Sequence, residues 1–457
     1  MNSSSDLKIC LIGAGSSGLT AAKSLHEAGL AFDCFEKGSA LGGNWRYGND
    51  NGLSSAYRSL HINTNRHIMS YSDYEMPAKY PMFPHHSHII SYFEDYARHF
   101  GIDQLITYQT EVTDVAPAGD GTWRVRTRHR SGQESEGIYR AVIVANGHHW
   151  SPRYPEPAFP GHFDGQTLHS HDYRTPDQVA NKNVVIVGIG NSAVDIACET
   201  ARQYSGRVTI STRSGAHILP NWIWGMPFDS LASPLVSRLP LPVQRTVLKA
   251  MLWLAHGNQE KYGVPRPRRP LLMEHPTLSQ DLLNLAGRGL IQFRPNIREL
   301  QGDKILFEDG HTEPADLLIY ATGYKVSFPF FSRSFLDVEA QNNLELYRRV
   351  VHPEHPGLYF LAFIQPLGAI MPLAEIQGKW LAGLLSGQCR LPDAPTMRAS
   401  IAEDKAALAR RYRQSARHTM QVDFHPYKEL IEAEIKRGAI AAGPMLADAG
   451  RSLARSA

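Results

Sequence analysis

Two glycine-rich turns, each running out of a short apolar stretch, constrain this chain more than any other feature. Residues 8–12 lead into Gly13-Ala14-Gly15-Ser16-Ser17-Gly18, and residues 183–187 lead into Gly188-Ile189-Gly190-Asn191-Ser192-Ala193. Each turn is followed by residues at helical spacing, so each opens a β-α-β unit. Glycines at these places let the backbone turn sharply and approach a phosphate closely. The helix N-terminus then faces that phosphate with unpaired N–H groups and the positive end of its dipole. Two such units predict an α/β fold of two Rossmann-like dinucleotide-binding domains.

The strand ends make the two units unequal. The first helix stops at Gly29, and the next strand, 32–36, ends on Glu36, 18 residues past Gly18. A carboxylate there accepts hydrogen bonds from ribose hydroxyls, which suits the unphosphorylated ribose of a flavin dinucleotide. The corresponding strand of the second unit ends Ser211-Thr212-Arg213-Ser214. A guanidinium there can pair with a 2′-phosphate, which favours NADPH over NADH. The domain division that follows is an FAD-binding domain of residues 1–160 and 316–440, with an NADP-binding domain, 161–315, inserted in it. Within the second domain, 216–280 is a proline- and tryptophan-rich insertion. Its apolar helical stretch, 243–255, is read as packing, with an interfacial membrane contact as the weaker alternative. A helix over 88–100 capped by Ser87, a strand-rich segment over 107–147 and a flexible tail over 441–457 complete the reading.

Bulk properties exclude several classes. The 457 residues suffice for two or three domains, and a formal charge of +3 with no Lys/Arg-rich run gives no reason to expect nucleic acid. The four cysteines contain no Cys-x-x-Cys, so neither a zinc ribbon nor a redox dithiol is expected. His85-His86-x-His88 lacks accompanying carboxylates or thiols, and no metal is expected. No run of about 18 apolar residues predicts a spanning helix, and no signal-peptide pattern opens the chain, so a cytoplasmic location is expected.

Between the two turns lies Phe163-x-Gly165-x-x-x-His169-x-x-x-Tyr173-Arg174. With Phe35-Glu36-Lys37, Gly42-Gly43-Asn44-Trp45, Tyr57-Arg58-Ser59-Leu60, Ala321-Thr322-Gly323-Tyr324 and Phe363-Ile364-Gln365-Pro366-Leu367-Gly368, the chain resembles the flavin-containing monooxygenase family of class B flavoprotein monooxygenases. The Tyr173-Arg174 ending resembles the heteroatom-oxidising branch. Baeyer–Villiger relatives usually carry Trp followed by Pro or Asp there. Ala193 departs from the strictest phosphate fingerprint, which has a third glycine.

The resemblance implies FAD, NADPH and dioxygen, with a C4a-hydroperoxide of the flavin oxygenating a soft nitrogen or sulfur of a small molecule. It implies that Gly13, Ala14, Gly15, Ser16, Ser17, Gly18, Glu36, Asn44, Trp45, Asn63 and Thr64 hold FAD. For NADP the corresponding set is Ile62, Asn63, Gly188, Gly190, Asn191, Ser192, Ala193, Val194, Asp195 and Arg213. Asn63 aligns with the family asparagine near the reactive flavin carbon and is the one catalytic candidate, with Asn65 as a neighbour that could be mistaken for it. Phe163, Gly165, His169, Tyr173 and Arg174 are expected to organise the interdomain segment. Baeyer–Villiger oxidation of ketones, N-hydroxylation of a specific amine and a nucleotide-binding redox sensor remain as alternatives. A homodimer is left open.

Overall fold

The computed structural model describes residues 6–203, 206–231, 233–338, 344–411 and 420–441. In chain order the elements that place the site are β1 (Ile9–Ile12), α1 (Ser16–Glu27), β2 (Phe32–Phe35), α2 (His86–His99), β3 (Ile106–Thr107), β4 (Ala141–Val144), β5 (Gln166–His169), β6 (Val184–Val187), α3 (Asn191–Gln203), β7 (Val208–Ser211), α4 (Leu241–His256), β8 (Ile291–Arg294), β9 (Leu317–Tyr320), β10 (Leu358–Phe360), α5 (Met371–Leu385) and α6 (Phe424–Ala441). They build two five-stranded parallel sheets, ordered β10-β4-β1-β2-β3 and β5-β9-β6-β7-β8.

Strands β1, β4 and β6 are apolar and buried at every position because both of their faces are covered. On β1, Ile9 and Leu11 join the core under α1 and α5, while Cys10 and Ile12 join a separate core with Val142 and Val144. Each such side chain contributes about 2 kcal/mol by leaving water. Helices α1 and α5 meet closely at Gly378, where a Cβ would sit 3.2 Å from the Thr20 carbonyl oxygen.

Two expectations are corrected. Residues 317–320, placed by sequence in the first domain, pair with β5 and β6 and so belong to the second sheet. Asp316 accepts from the Asn183 backbone N–H at 2.7 Å, which locks β9 beside β6. The chain crosses back only afterwards, where Tyr324 and Lys325 pair antiparallel with Pro152 and Ser151 of the outgoing connection. Helix α2 starts two residues earlier than expected and is capped by the His85 ring, which accepts from the Ser87 backbone N–H at 3.3 Å, not by Ser87. Helix α5 begins at Met371 because Pro372 is tolerated in a first helical turn, where its missing N–H has no partner to lose. The tail expected over 441–457 lies, from 442, outside the described residues.

Candidate functional site

The first turn is shaped by contacts that only glycine permits. Gly13 has φ +101°, and a Cβ on it would lie 2.7 Å from the Ala145 carbonyl oxygen. A Cβ on Gly18 would lie 1.9 Å from the Gly13 carbonyl oxygen, well inside contact distance. Helix α1 then starts at Ser16 with Gly15 as its N-cap, with no side-chain cap and no acidic residue in its first turn. Its free N–H groups and dipole are therefore open to an anion. A second loop closes on this turn: the Gly42 N–H donates to Ala14 O at 2.9 Å, and Gly43 approaches so nearly that a Cβ on it would be 3.1 Å from Gly15 Cα. The glycine backbone of the two loops packs beside the open N-terminus of α1, and the residues present fit a pyrophosphate there.

Glu36 is buried at the end of β2 and accepts from the Ala14 N–H at 2.9 Å and the Gly38 N–H at 2.8 Å. Those bonds fix the carboxylate beside the turn. Its oxygens retain acceptor capacity for a ribose hydroxyl. Asn44 Oδ1 accepts from the backbone and the hydroxyl of Ser55 at 2.8 and 2.9 Å, and Trp45 packs partly buried against the first core.

Asn63 and Asn65 have separate fates. Asn65 is buried, caps the following turn by accepting from His67 and Ile68 N–H groups, and donates to Asp229 and Ser230 at 2.7 and 3.1 Å. It is a structural residue. Asn63 is partly exposed, and its amide makes no hydrogen bond among the described residues, so it can serve a ligand. Its neighbour Ile62 is placed otherwise than the family set suggests. Its side chain lies in the first core and its N–H donates to Pro84 O at 3.0 Å, leaving only its carbonyl for a ligand. Thr64 is buried beside it.

The second turn repeats the first with one relaxation. Gly188 has φ +119°, and its Cβ would lie 2.5 Å from Ala321 O. Gly190 caps α3 by accepting from the Val194 N–H, and Ala193 and Val194 are fully buried in the second core. The small Ala193 side chain is thus accommodated where Gly18 admits none. Asn191 accepts from the Leu278 N–H at 2.9 Å, Ser192 is exposed, and Arg213 is exposed at the end of β7 with no ion pair among the described residues. Sequence reasoning missed a neighbour of Arg213. Gly215 bridges Pro267, which brings the exposed Arg266 and Arg268 beside the Arg213 turn. The cluster Arg266-Pro267-Arg268-Arg269 was the signal, and its distance from β7 in sequence hid it. Arg213→Ala is expected to raise KM for NADPH about tenfold, the worth of a lost charge-assisted pair, and to leave KM for NADH unchanged. Steady-state kinetics with both coenzymes checks this, and equal effects would remove Arg213 from the 2′-phosphate.

Asp195 points away from the turn. Its carboxylate accepts from the Tyr57 hydroxyl at 2.7 Å, across the boundary between the two sheets, and burial raises its pKa to about 6. One helical turn on, Glu199 accepts from Tyr173 at 2.6 Å, and the two tyrosine rings meet edge to face at 5.8 Å. Arg174 completes the tie by donating to the Ser54 carbonyl at 2.8 Å. The Tyr173-Arg174 ending therefore fastens α3 to the 54–58 loop. In the same motif the Phe163 ring folds over Gly165, where a Cβ would meet it at 2.5 Å. His169 is buried, and burial lowers its pKa to about 4, so its ring is neutral and organises structure. A carboxyl whose pKa rises on folding stabilises the fold below its unfolded value and loses that contribution as pH rises through about 6. Asp195→Asn is therefore expected to gain roughly 1–3 kcal/mol over the parent at pH 8 and to show no gain at pH 4, read from melting curves at both.

The His85-His86-x-His88 run has structural work. His85 Nε2 lies 2.7 Å from Arg58 O while its other nitrogen caps α2. Among the described residues no group of three His, Cys, Asp or Glu is placed to hold a metal ion.

Comparisons with known proteins bear on this geometry. A family model described as flavin-binding monooxygenase-like matches residues 6–447. Flavin-containing monooxygenase 5 of Rattus norvegicus is 38% identical over 437 residues, 91% of this chain and 80% of that protein. Dimethylaniline monooxygenase [N-oxide-forming] 2 of the same species is 36% identical over 450 residues, 94% and 82% of the two chains. Among solved structures, S-allyl-L-cysteine S-oxygenase from Allium sativum superposes with a TM-score of 0.70 at 26% identity, covering 94% of this chain and 88% of that one.

Proposed function

Because the chain belongs to the flavin-binding monooxygenase-like family, we propose that it is an FAD- and NADPH-dependent monooxygenase acting on a soft nitrogen or sulfur atom of a small molecule. FAD, once reduced by NADPH, supplies the activation of dioxygen. The first glycine turn with Gly42, Gly43 and Glu36 holds FAD, and the second turn with Arg213 holds NADPH. Asn44 and Thr64 line the flavin side, and Asn63 offers its unbonded amide at the junction of the two units. An amide donates a hydrogen bond without giving up its proton, so it can steady an oxygen without protonating it. The Tyr57–Asp195 pair and the Arg174–Ser54 bond tie the two units together, and Trp222 of the insertion packs edge to face on Phe83 at 5.5 Å.

The observation that carries this reading is the pair of glycine turns that each open a helix of a parallel sheet, one with the buried Glu36 and the other with the exposed Arg213 at the following strand end. The heteroatom preference draws on the Tyr173-Arg174 ending and on relatives named for N-oxide formation and S-oxygenation. Purified protein loaded with FAD is expected to oxidise NADPH under air and to convert a thioether or a tertiary amine to its oxide. A lactone from a cyclic ketone, with no oxide from either test substrate, would overturn the heteroatom assignment. NADPH consumption matched wholly by hydrogen peroxide with every substrate class would overturn monooxygenation itself.

A further inference from the structure

Asn63 is held by its neighbours and not by bonds of its own. Among the described residues no hydrogen bond is made by Asn63 or Thr64, so their placement depends on where the chain is staked on either side. Two stakes come from the same domain. The Ile62 N–H donates to Pro84 O at 3.0 Å, and the Arg66 N–H donates to Met82 O at 2.8 Å. The third comes from the insertion of the second domain, 164 residues away in sequence. Asp229 Oδ2 accepts from the Asn65 backbone N–H at 2.7 Å, and Asp229 Oδ1 accepts from the Asn65 side-chain amide at 2.7 Å.

The fold of the insertion delivers that carboxylate. Trp222 and Ile223 pair antiparallel with Pro227 and Met226, and the turn between them has φ +49° at Trp224 and +78° at Gly225. Positive φ at both central residues is the turn whose twist matches a tight hairpin. The Phe228 N–H then donates to Asn221 O at 2.8 Å, and a 3-10 turn over Phe228–Leu231 carries Asp229. Phe83 adjoins the Pro84 stake and packs edge to face on Trp222 at 5.5 Å, so hairpin and loop meet at a second point. Hydrogen bonds to a carboxylate are roughly twice as strong as those to a neutral acceptor, which makes Asp229 a stiff anchor. Its bond to the Asn65 N–H acts on the main chain two residues from Asn63 and survives any change of the side chain at 65. We propose that Asp229 is a positioning residue for Asn63, so that the insertion of the coenzyme-side domain sets the aim of the flavin-side amide. The proposal rests on the assignment of Asn63 to the reacting oxygen.

Four proteins at full flavin occupancy test this: the parent, Asn63→Ala, Asp229→Ala and the double variant. Asp229→Ala is expected to release about tenfold more hydrogen peroxide per NADPH oxidised than the parent. The double variant should match Asn63→Ala within about twofold, because a residue that acts through Asn63 then has nothing left to act on. Hydrogen exchange supplies a readout independent of turnover. Exchange at the Asn65 amide should quicken at least about tenfold in Asp229→Ala and stay near the parent in Asn63→Ala. Where Asp229→Ala does not fold, Asp229→Asn keeps the volume and one acceptor oxygen, and its peroxide rise should be about threefold. Parent-level coupling in Asp229→Ala, with Asn63→Ala uncoupled, would overturn the proposal. So would a double variant in which the two effects multiply. Unchanged coupling in Asn63→Ala is a separate result: it would overturn the role of Asn63 itself, and the proposal with it.

Discussion

Gly18→Ala is expected to yield protein without bound FAD. The added methyl would sit 1.9 Å from the Gly13 carbonyl oxygen and 2.9 Å from its carbon, and both are backbone. Neither can move aside as a side chain would, so the turn itself must open. Gly13 has little slack, because its own Cβ position is already closed off by Ala145 O at 2.7 Å. Displacing packed backbone costs about 3 kcal/mol, which as lost affinity is roughly a hundredfold. Flavin absorbance per chain, followed by FAD titration, reads the effect. A paired variant separates ligand loss from misfolding. A Cβ on Gly15 would meet only Gly43 Cα, at an ordinary 3.7 Å, so Gly15→Ala should fold normally. It adds a methyl beside the open N-terminus of α1, so its FAD affinity should still fall. Full flavin occupancy in Gly18→Ala would show that the pyrophosphate lies elsewhere.

Asn63→Ala is expected to uncouple NADPH consumption from oxygenation. The Asn63 amide is partly exposed and makes no hydrogen bond among the described residues, so truncating it should change the fold little. A hydrogen-bond donor aimed at a reacting oxygen is worth about ten- to a thousandfold in rate or lifetime. The expected result is at least about a tenfold rise in hydrogen peroxide released per NADPH oxidised, at nearly unchanged melting temperature. Asn65→Ala should behave in the opposite manner. It removes a helix cap and leaves Asp229 without one of its two Asn65 donors, since the backbone N–H remains, so it should lower stability by about 1–3 kcal/mol. Unchanged coupling in Asn63→Ala would move the chemical role to another residue.

Much of the site was legible because its determinants are local. A glycine turn after an apolar strand is a short-range pattern, and Glu36 and Arg213 lie at fixed offsets along single β-α-β units. Where the reading failed, the deciding contacts were distant in sequence. Strand β9 was assigned to the first domain because its own residues do not say which of two similar sheets it will join. The Asn183–Asp316 pairing, 133 residues apart, decides that. Ser87 satisfies the usual rule for a helix cap, yet the His85 ring takes the position.

What the sequence determined by itself is the number, kind and inequality of the two nucleotide units, because close backbone approach and strand-end charge are written in residues a few places apart. Only the tertiary structure decided what the remaining polar groups do. It turned Asp195 from the phosphate turn towards Tyr57, bonded Asn65 to the insertion while leaving Asn63 free, and brought Arg266 and Arg268 beside Arg213. The physical reason is the same each time. A polar or apolar side chain is committed by the partner that reaches it, and these partners arrive from segments that no local pattern connects.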